Sequence, residues 1–284
     1  MRKIQTAGKI GIIGFGNMGA IIAYKLSLNS AEYEVWVFEK DKTKIKSLKG
    51  VTFSNSLQEF ADKIDYFVLA VKPQDLGGLL KELKRLIGNK MVISIAAGVT
   101  TGRIEGVLGQ VRVIRVMPNL AARIGESVTC LCSGKYATQD DLEFAKEIFY
   151  YLGTVSVISE EMMNAATAIS GSGPGYVYYF LENSPFDCNN IPDHALHDMM
   201  KRLEKAALGL GFGLPEASFL AANTVNASVS LLRETRLTPA ELKTQVASKG
   251  GTTEAGLEIL KKGGSWEEAA LAALKRAQEL SGRF

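Results

Sequence analysis

Short apolar runs rich in Val and Ile recur through the first half of the chain, at residues 10–14, 35–38, 66–71, 91–95 and 111–116, with helical patterns between them. This alternation predicts βα units on a parallel sheet, and the near-continuous apolarity of the runs predicts a sheet covered by helices on both faces. A strand at 128–131, a helix over 139–151 and a strand at 154–158 complete this doubly wound α/β domain. Past Ser159 the strand-like runs fade. Ala, Leu, Glu and Lys then repeat at helical spacing through 162–169, 215–234, 239–246 and 266–280, which predicts an all-helical second domain. The boundary is placed at 1–159 and 160–284, with no internal repeat, low-complexity tract or long linker.

With 284 residues, 46% hydrophobic and 22% charged, the chain is long enough for two such domains. Its net charge of +3 is small and the basic residues are scattered, so neither nucleic acid nor an anionic membrane is expected as a partner. Three cysteines, two of them one residue apart, fit neither a disulfide framework nor a four-ligand zinc site. The basic N-terminus carries no signal-peptide core and no run of 18 apolar residues occurs, so a cytoplasmic protein is expected.

Gly14, Phe15, Gly16, Asn17, Met18 and Gly19 form G-x-G-x-x-G after the first strand and at the mouth of a helix. The first glycine permits a tight turn, the second lets the backbone approach a pyrophosphate, and the third allows close helix packing, while the helix N-terminus supplies N–H donors. Glu39 ends the second strand twenty residues beyond Gly19, where an acidic side chain bonds a ribose 2′-OH; this favours NADH. Lys40 and Lys42 follow directly and can neutralise a 2′-phosphate, so NADPH stays open. Ala70, Val71, Lys72 and Pro73 leave a strand at its carboxyl end, as do Ala96, Ala97 and Gly98, and ligands of open α/β sheets bind on that side. Asn119 leaves the next strand there too, where its amide can orient a nicotinamide carboxamide. With Asn55, these make up the expected dinucleotide contacts.

Several phrases together, GFGNMG, AVKPQ, SIAAGV, VIRVMPN, AISGSGPGYVYYF and SKGGTTEAGL, resemble pyrroline-5-carboxylate reductase. The resemblance spans about residues 9–280 and implies a Rossmann-type domain followed by a helical dimerisation domain. It further implies reduction of 1-pyrroline-5-carboxylate to proline by NADH or NADPH, in a homodimer or higher homo-oligomer. The family's substrate loop, S-P-G-G-T-T, corresponds here to Ser248, Lys249, Gly250, Gly251, Thr252 and Thr253. By the resemblance the Thr253 hydroxyl contacts the ring nitrogen as the catalytic contact, while the Ser248 hydroxyl and the backbone of Gly250, Gly251, Thr252 and Thr253 hold the carboxylate. Independently of the family, two glycines followed by two threonines and a helical segment form a place where free N–H groups can gather around an anion. A helix capped by Thr after a Gly turn explains the same residues without a ligand.

The chain departs from the family at Lys249 for Pro, at Leu120 and Ala121 for Thr-Pro, and at Gly175 for Ala. Residues 183–202 read as an insertion whose helix, starting near Pro192, is marked by Ala195, Leu196, Met199, Met200 and Leu203. Ser170, Gly171, Ser172, Gly173 and Pro174 read as a turn that breaks a helix. His194 and His197, beside Asp193, Asp198 and Cys188, match no zinc signature and read as a solvated helix face, so no metal site is expected. Two other functions fit the same plan: a reductase of another cyclic imine or a keto or hydroxy acid, and a silent dinucleotide sensor. β-Hydroxyacid dehydrogenases carry a lysine in the helix after the interdomain turn; residues 175–182 contain none.

Overall fold

A computed structural model describes residues 8–29, 32–188 and 190–282. The basic N-terminal lead-in at residues 1–7 lies outside the described residues, as does Asn189 of the expected insertion. The chain divides into two compact units. The first comprises the described residues of Met1–Val116 with Leu131–Leu152, and the second those of Met117–Cys130 with Gly153–Arg283. Residues 117–130 and 153–159 thus group with the helical unit. Local bonds account for this: the Thr154 hydroxyl donates to the Ser127 carbonyl, and the Asn119 side-chain amide to the Ser170 carbonyl.

The first part of the chain runs β1 (Gly8–Ile13), α1 (Asn17–Ser27), β2 (Tyr33–Phe38), β3 (Val51–Ser54), α2 (Leu57–Lys63), β4 (Tyr66–Leu69), α3 (Pro73–Leu83), β5 (Met91–Ser94), α4 (Thr101–Leu108), β6 (Val113–Met117), β7 (Ser127–Ser133), α5 (Gln139–Tyr150) and β8 (Gly153–Val157). The sheet order is β3-β2-β1-β4-β5-β6-β7-β8, and the pairs from β3 through β6 are parallel. Order reverses between β1 and β4, where Ile13 lies opposite both Phe38 and Leu69. The loops leaving β1 and β4 turn to opposite faces there, which opens a crevice at the strands' carboxyl ends. One side of the sheet packs on α2, α3 and α4 through Phe60, Phe67, Leu69, Leu76, Leu80 and Val113, all buried. Burial on both faces is why these strands read as apolar runs rather than alternating ones.

The second part is helical: α6 (Met163–Ala166), a π turn (Thr167–Gly171), α7 (Gly173–Glu182), α8 (Asp193–Gly209), α9 (Leu214–Thr235), α10 (Pro239–Val246), α11 (Thr252–Lys261) and α12 (Trp266–Gly282). The expected turn at 170–174 is instead a widened helical turn. The Ser172 N–H bonds the Thr167 carbonyl five residues back at 2.9 Å, and α7 follows directly with Pro174 in its first turn, where no amide hydrogen is needed. Within residues 183–202, α8 starts at Asp193 and buries Ala195, Met199 and Leu203 along one stripe, packing on α9 and α12. Phe186, in the loop before it, stacks on Phe180 and meets His194 edge-on. Among the described residues, no helix is long and apolar enough to cross a membrane.

Candidate functional site

The dinucleotide motif forms the mouth of the first unit. Gly14 has φ +101°, a left-handed conformation that only glycine adopts without strain, and a Cβ there would stand 2.7 Å from the Ala70 carbonyl oxygen. This close approach sets the β1 and β4 exits side by side. Gly19 is packed so tightly that a Cβ would overlap the Gly14 carbonyl oxygen. Gly16 is different: nothing lies within 4 Å of where its Cβ would be. A backbone bare of neighbours at the start of α1, with no acidic residue in that helix's first turn and no side-chain cap, leaves room and positive potential for a pyrophosphate. These residues fit a dinucleotide.

The rim of that cradle is organised around Glu39. Its carboxylate accepts the Phe15 N–H at 2.7 Å and the Asp41 N–H at 2.9 Å. The Phe15 ring stands edge-on to Phe53 of β3. Lys40 pairs with Glu82 at 2.9 Å, and Lys42 donates to Asn55 Oδ1 at 3.3 Å. Val71 follows Ala70, Lys72 is the N-cap of α3 and Pro73 its first residue, while Ala96, Ala97 and Gly98 follow β5. All of these occupy the carboxyl ends of adjacent strands. Of the residues expected to hold the dinucleotide, Asn119 alone belongs to the second unit. It is 2% exposed; its Oδ1 accepts the Ala121 N–H and its Nδ2 donates to the Ser170 carbonyl. These bonds use the amide oxygen and one of its two N–H donors.

The turn at 248–253 lies in the second unit. Gly250 has φ +69°, its N–H donates to the Glu254 carboxylate at 2.6 Å, and its carbonyl accepts Arg276 Nε at 2.7 Å. The Gly251 N–H donates to the Ser248 carbonyl at 2.9 Å, and a Cβ on Gly251 would overlap the Ser248 hydroxyl. Two of the N–H groups expected from sequence to face an anion are therefore engaged within the turn. Those of Thr252 and Thr253, in the first turn of α11, have no intrahelical acceptor. Thr253 is 5% exposed and its hydroxyl donates to Ser172 Oγ at 3.2 Å; Ser172 donates in turn to Thr252 Oγ1 at 3.0 Å. A Cβ on Gly175 would stand 2.5 Å from the Thr253 methyl, so glycine in place of the family's alanine is what lets Thr253 sit against α7. Gly256 similarly admits the Tyr176 ring, whose phenol burial keeps protonated and which donates to the Ala269 carbonyl at 3.4 Å.

Sequence reasoning missed Glu254, Arg276 and the Ser172 hydroxyl. Arg276 flanks the buried stripe Ala269, Ala273 and Ala277 of α12, the only mark that separates it from an ordinary surface arginine. Cys130 and Cys132 are buried and outside any disulfide, and burial pushes the Cys130 thiol up to about 12, which keeps it protonated.

A family model described as NADP oxidoreductase coenzyme F420-dependent matches residues 9–98, and one described as pyrroline-5-carboxylate reductase dimerisation matches residues 196–280. The pyrroline-5-carboxylate reductase of Methanosarcina acetivorans is 36% identical over 96% of this chain and 97% of its own. That of Aquifex aeolicus is 31% identical over 93% of each chain. Among solved structures, Plasmodium falciparum pyrroline carboxylate reductase with NADP bound aligns with a TM-score of 0.63 and 26% identity, covering 98% of this chain and 99% of that one. End-to-end likeness at this level leaves one assignment: the chain belongs to the pyrroline-5-carboxylate reductase family.

Proposed function

We propose that this protein reduces 1-pyrroline-5-carboxylate to L-proline with NAD(P)H, the last step of proline biosynthesis. The observation that carries the reading is the buried Thr253 hydroxyl at the head of α11, next to the 248–253 turn, in a chain matching pyrroline-5-carboxylate reductases over nearly its whole length. NAD(P)H, when bound, supplies the hydride. Gly14, Phe15, Gly16, Asn17, Met18 and Gly19 would hold its pyrophosphate, and Glu39, Lys40 and Asn55 its adenosine end. Ala70, Val71, Lys72, Pro73, Ala96, Ala97 and Gly98 would line its length, and the remaining Asn119 N–H would orient the carboxamide.

The Ser248 hydroxyl and the N–H groups of Thr252 and Thr253 would hold the substrate carboxylate, with Gly250 and Gly251 shaping the turn around it. The Thr253 hydroxyl would meet the ring nitrogen. A cyclic imine protonated near neutral pH is already electrophilic. The incoming hydride adds to the imine carbon, the C=N π pair becomes the nitrogen lone pair, and the product is a secondary amine. No histidine or lysine acid is needed; the protein's work is placement and exclusion of water. The match to a dimerisation model over 196–280 supports a homo-oligomer. The test is coenzyme oxidation by purified protein with pyrroline-5-carboxylate, beside other cyclic imines and keto acids. Turnover confined to another substrate, or none at all, would refute the assignment.

Two further outcomes follow from the contacts. A carboxylate at Glu39 accepts a ribose 2′-OH and repels a 2′-phosphate, so NADH is expected to bind more tightly than NADPH. Glu39→Ser should raise the NADPH-to-NADH ratio of affinities by about tenfold, read by fluorescence titration. Arg276→Met keeps the aliphatic stem but removes the donor to the Gly250 carbonyl. It should raise the imine KM by about fivefold while leaving coenzyme affinity unchanged, the loss of one charge-assisted hydrogen bond being partly relieved by water.

A further inference from the structure

A hydroxyl has one proton and two lone pairs, so its usefulness to a ligand depends on where the proton points. The nitrogen of a protonated imine is itself a donor, and a Thr253 proton aimed at it would set donor against donor. The second unit gives that proton another destination. Thr253 Oγ1 donates to Ser172 Oγ at 3.2 Å and Ser172 donates to Thr252 Oγ1 at 3.0 Å, a chain of three buried hydroxyls whose middle member also lies within hydrogen-bond reach of the Tyr176 phenol. Two features keep the chain in place. The π turn, closed by the Ser172 N–H on Thr167, brings the Ser172 hydroxyl to the head of α11. The neighbouring Tyr176 phenol spends its proton on the Ala269 carbonyl.

We propose that Ser172 is a positioning residue that takes the Thr253 proton and so turns a Thr253 lone pair toward an N–H donor, making the pocket selective for the protonated nitrogen of a ring. The proposal rests on the reading of Thr253 given above. It differs from a structural role in a way two ligands can separate. L-Proline carries the carboxylate and an N–H donor; cyclopentanecarboxylate carries the carboxylate alone. In calorimetric titrations of the whole protein, Ser172→Ala should weaken L-proline by about tenfold and cyclopentanecarboxylate by less than about twofold, both measured well below the variant's melting temperature. Ser172→Cys fills the serine's place with a weak acceptor and should behave alike, which guards against a variant that merely loosens the packing. Equal weakening of both ligands, or of neither, would overturn the proposal. Thr253→Val run in parallel separates the two levels. If it leaves L-proline binding intact, the reading of Thr253 has failed; if it weakens L-proline where Ser172→Ala does not, only the role of Ser172 has failed.

Discussion

Thr253→Ala is expected to lower kcat/KM for pyrroline-5-carboxylate by about one to two decades. A hydrogen bond to a charged group contributes about 1.5–3 kcal/mol, and each 1.36 kcal/mol is about a factor of ten in rate. The iminium N–H would be left facing a methyl group in a pocket where Thr253 is 5% exposed and water has little room to replace it. Because alanine also removes the methyl that fits against Gly175, Thr253→Val is the cleaner partner: it keeps the branched shape and lacks only the hydroxyl. Both variants should bind coenzyme as the parent does. Steady-state kinetics check the first point and fluorescence titration the second; unchanged kinetics in both variants would remove Thr253 from the mechanism.

The largest effects on coenzyme binding are expected at Gly16 and Gly19, for different reasons. A methyl on Gly19 would overlap the Gly14 carbonyl, and the turn cannot open without straining the bond from the Gly14 N–H to the Phe38 carbonyl. Gly19→Ala should therefore cost about 1–3 kcal/mol of stability, as overpacking does, and weaken dinucleotide binding by about a hundredfold or more. A methyl on Gly16 meets nothing in the protein. Gly16→Ala should then leave the melting temperature within about a degree, since nothing in the fold is disturbed, yet still weaken the dinucleotide strongly, because the clash is with the ligand. Thermal melts with and without coenzyme separate the two cases. A Gly16→Ala protein that binds normally would move the pyrophosphate elsewhere.

Sequence patterning revealed most of the fold because most elements are buried on a single rule. β4 and β5 read as strands since helices cover both faces, and α10 was read from Pro239, where Thr238 and Glu241 close a capping box. β3 escaped notice. Its four residues, Val51 to Ser54, lie at the sheet edge with alternating exposure, and a short turn of Lys42–Lys44 rather than a long helix precedes it. The π turn was misread because Gly and Pro signal breaks locally, whereas its continuity is set by the Thr167 to Ser172 bond.

The site shows the same division. The tight turn at Gly14 and the close packing at Gly19 were legible since both follow from the missing side chain. Ser172, Glu254 and Arg276 were not. Ser172 meets Thr253 and Thr252 about eighty residues away, and Arg276 meets Gly250 across 26 residues. Pairings of that kind arise only when α7, α11 and α12 have packed. Glu254, in the first turn of α11, takes the Gly250 N–H that a substrate carboxylate was expected to claim.

The most direct measurement is a crystal structure of the protein with dinucleotide and L-proline bound together. The expected result has the nicotinamide C4 about 3–3.5 Å from the ring carbon that receives hydride, with the Thr253 hydroxyl on the ring nitrogen. The contradicting result is a turn at 248–253 that stays remote from the nicotinamide in every pairing of protomers.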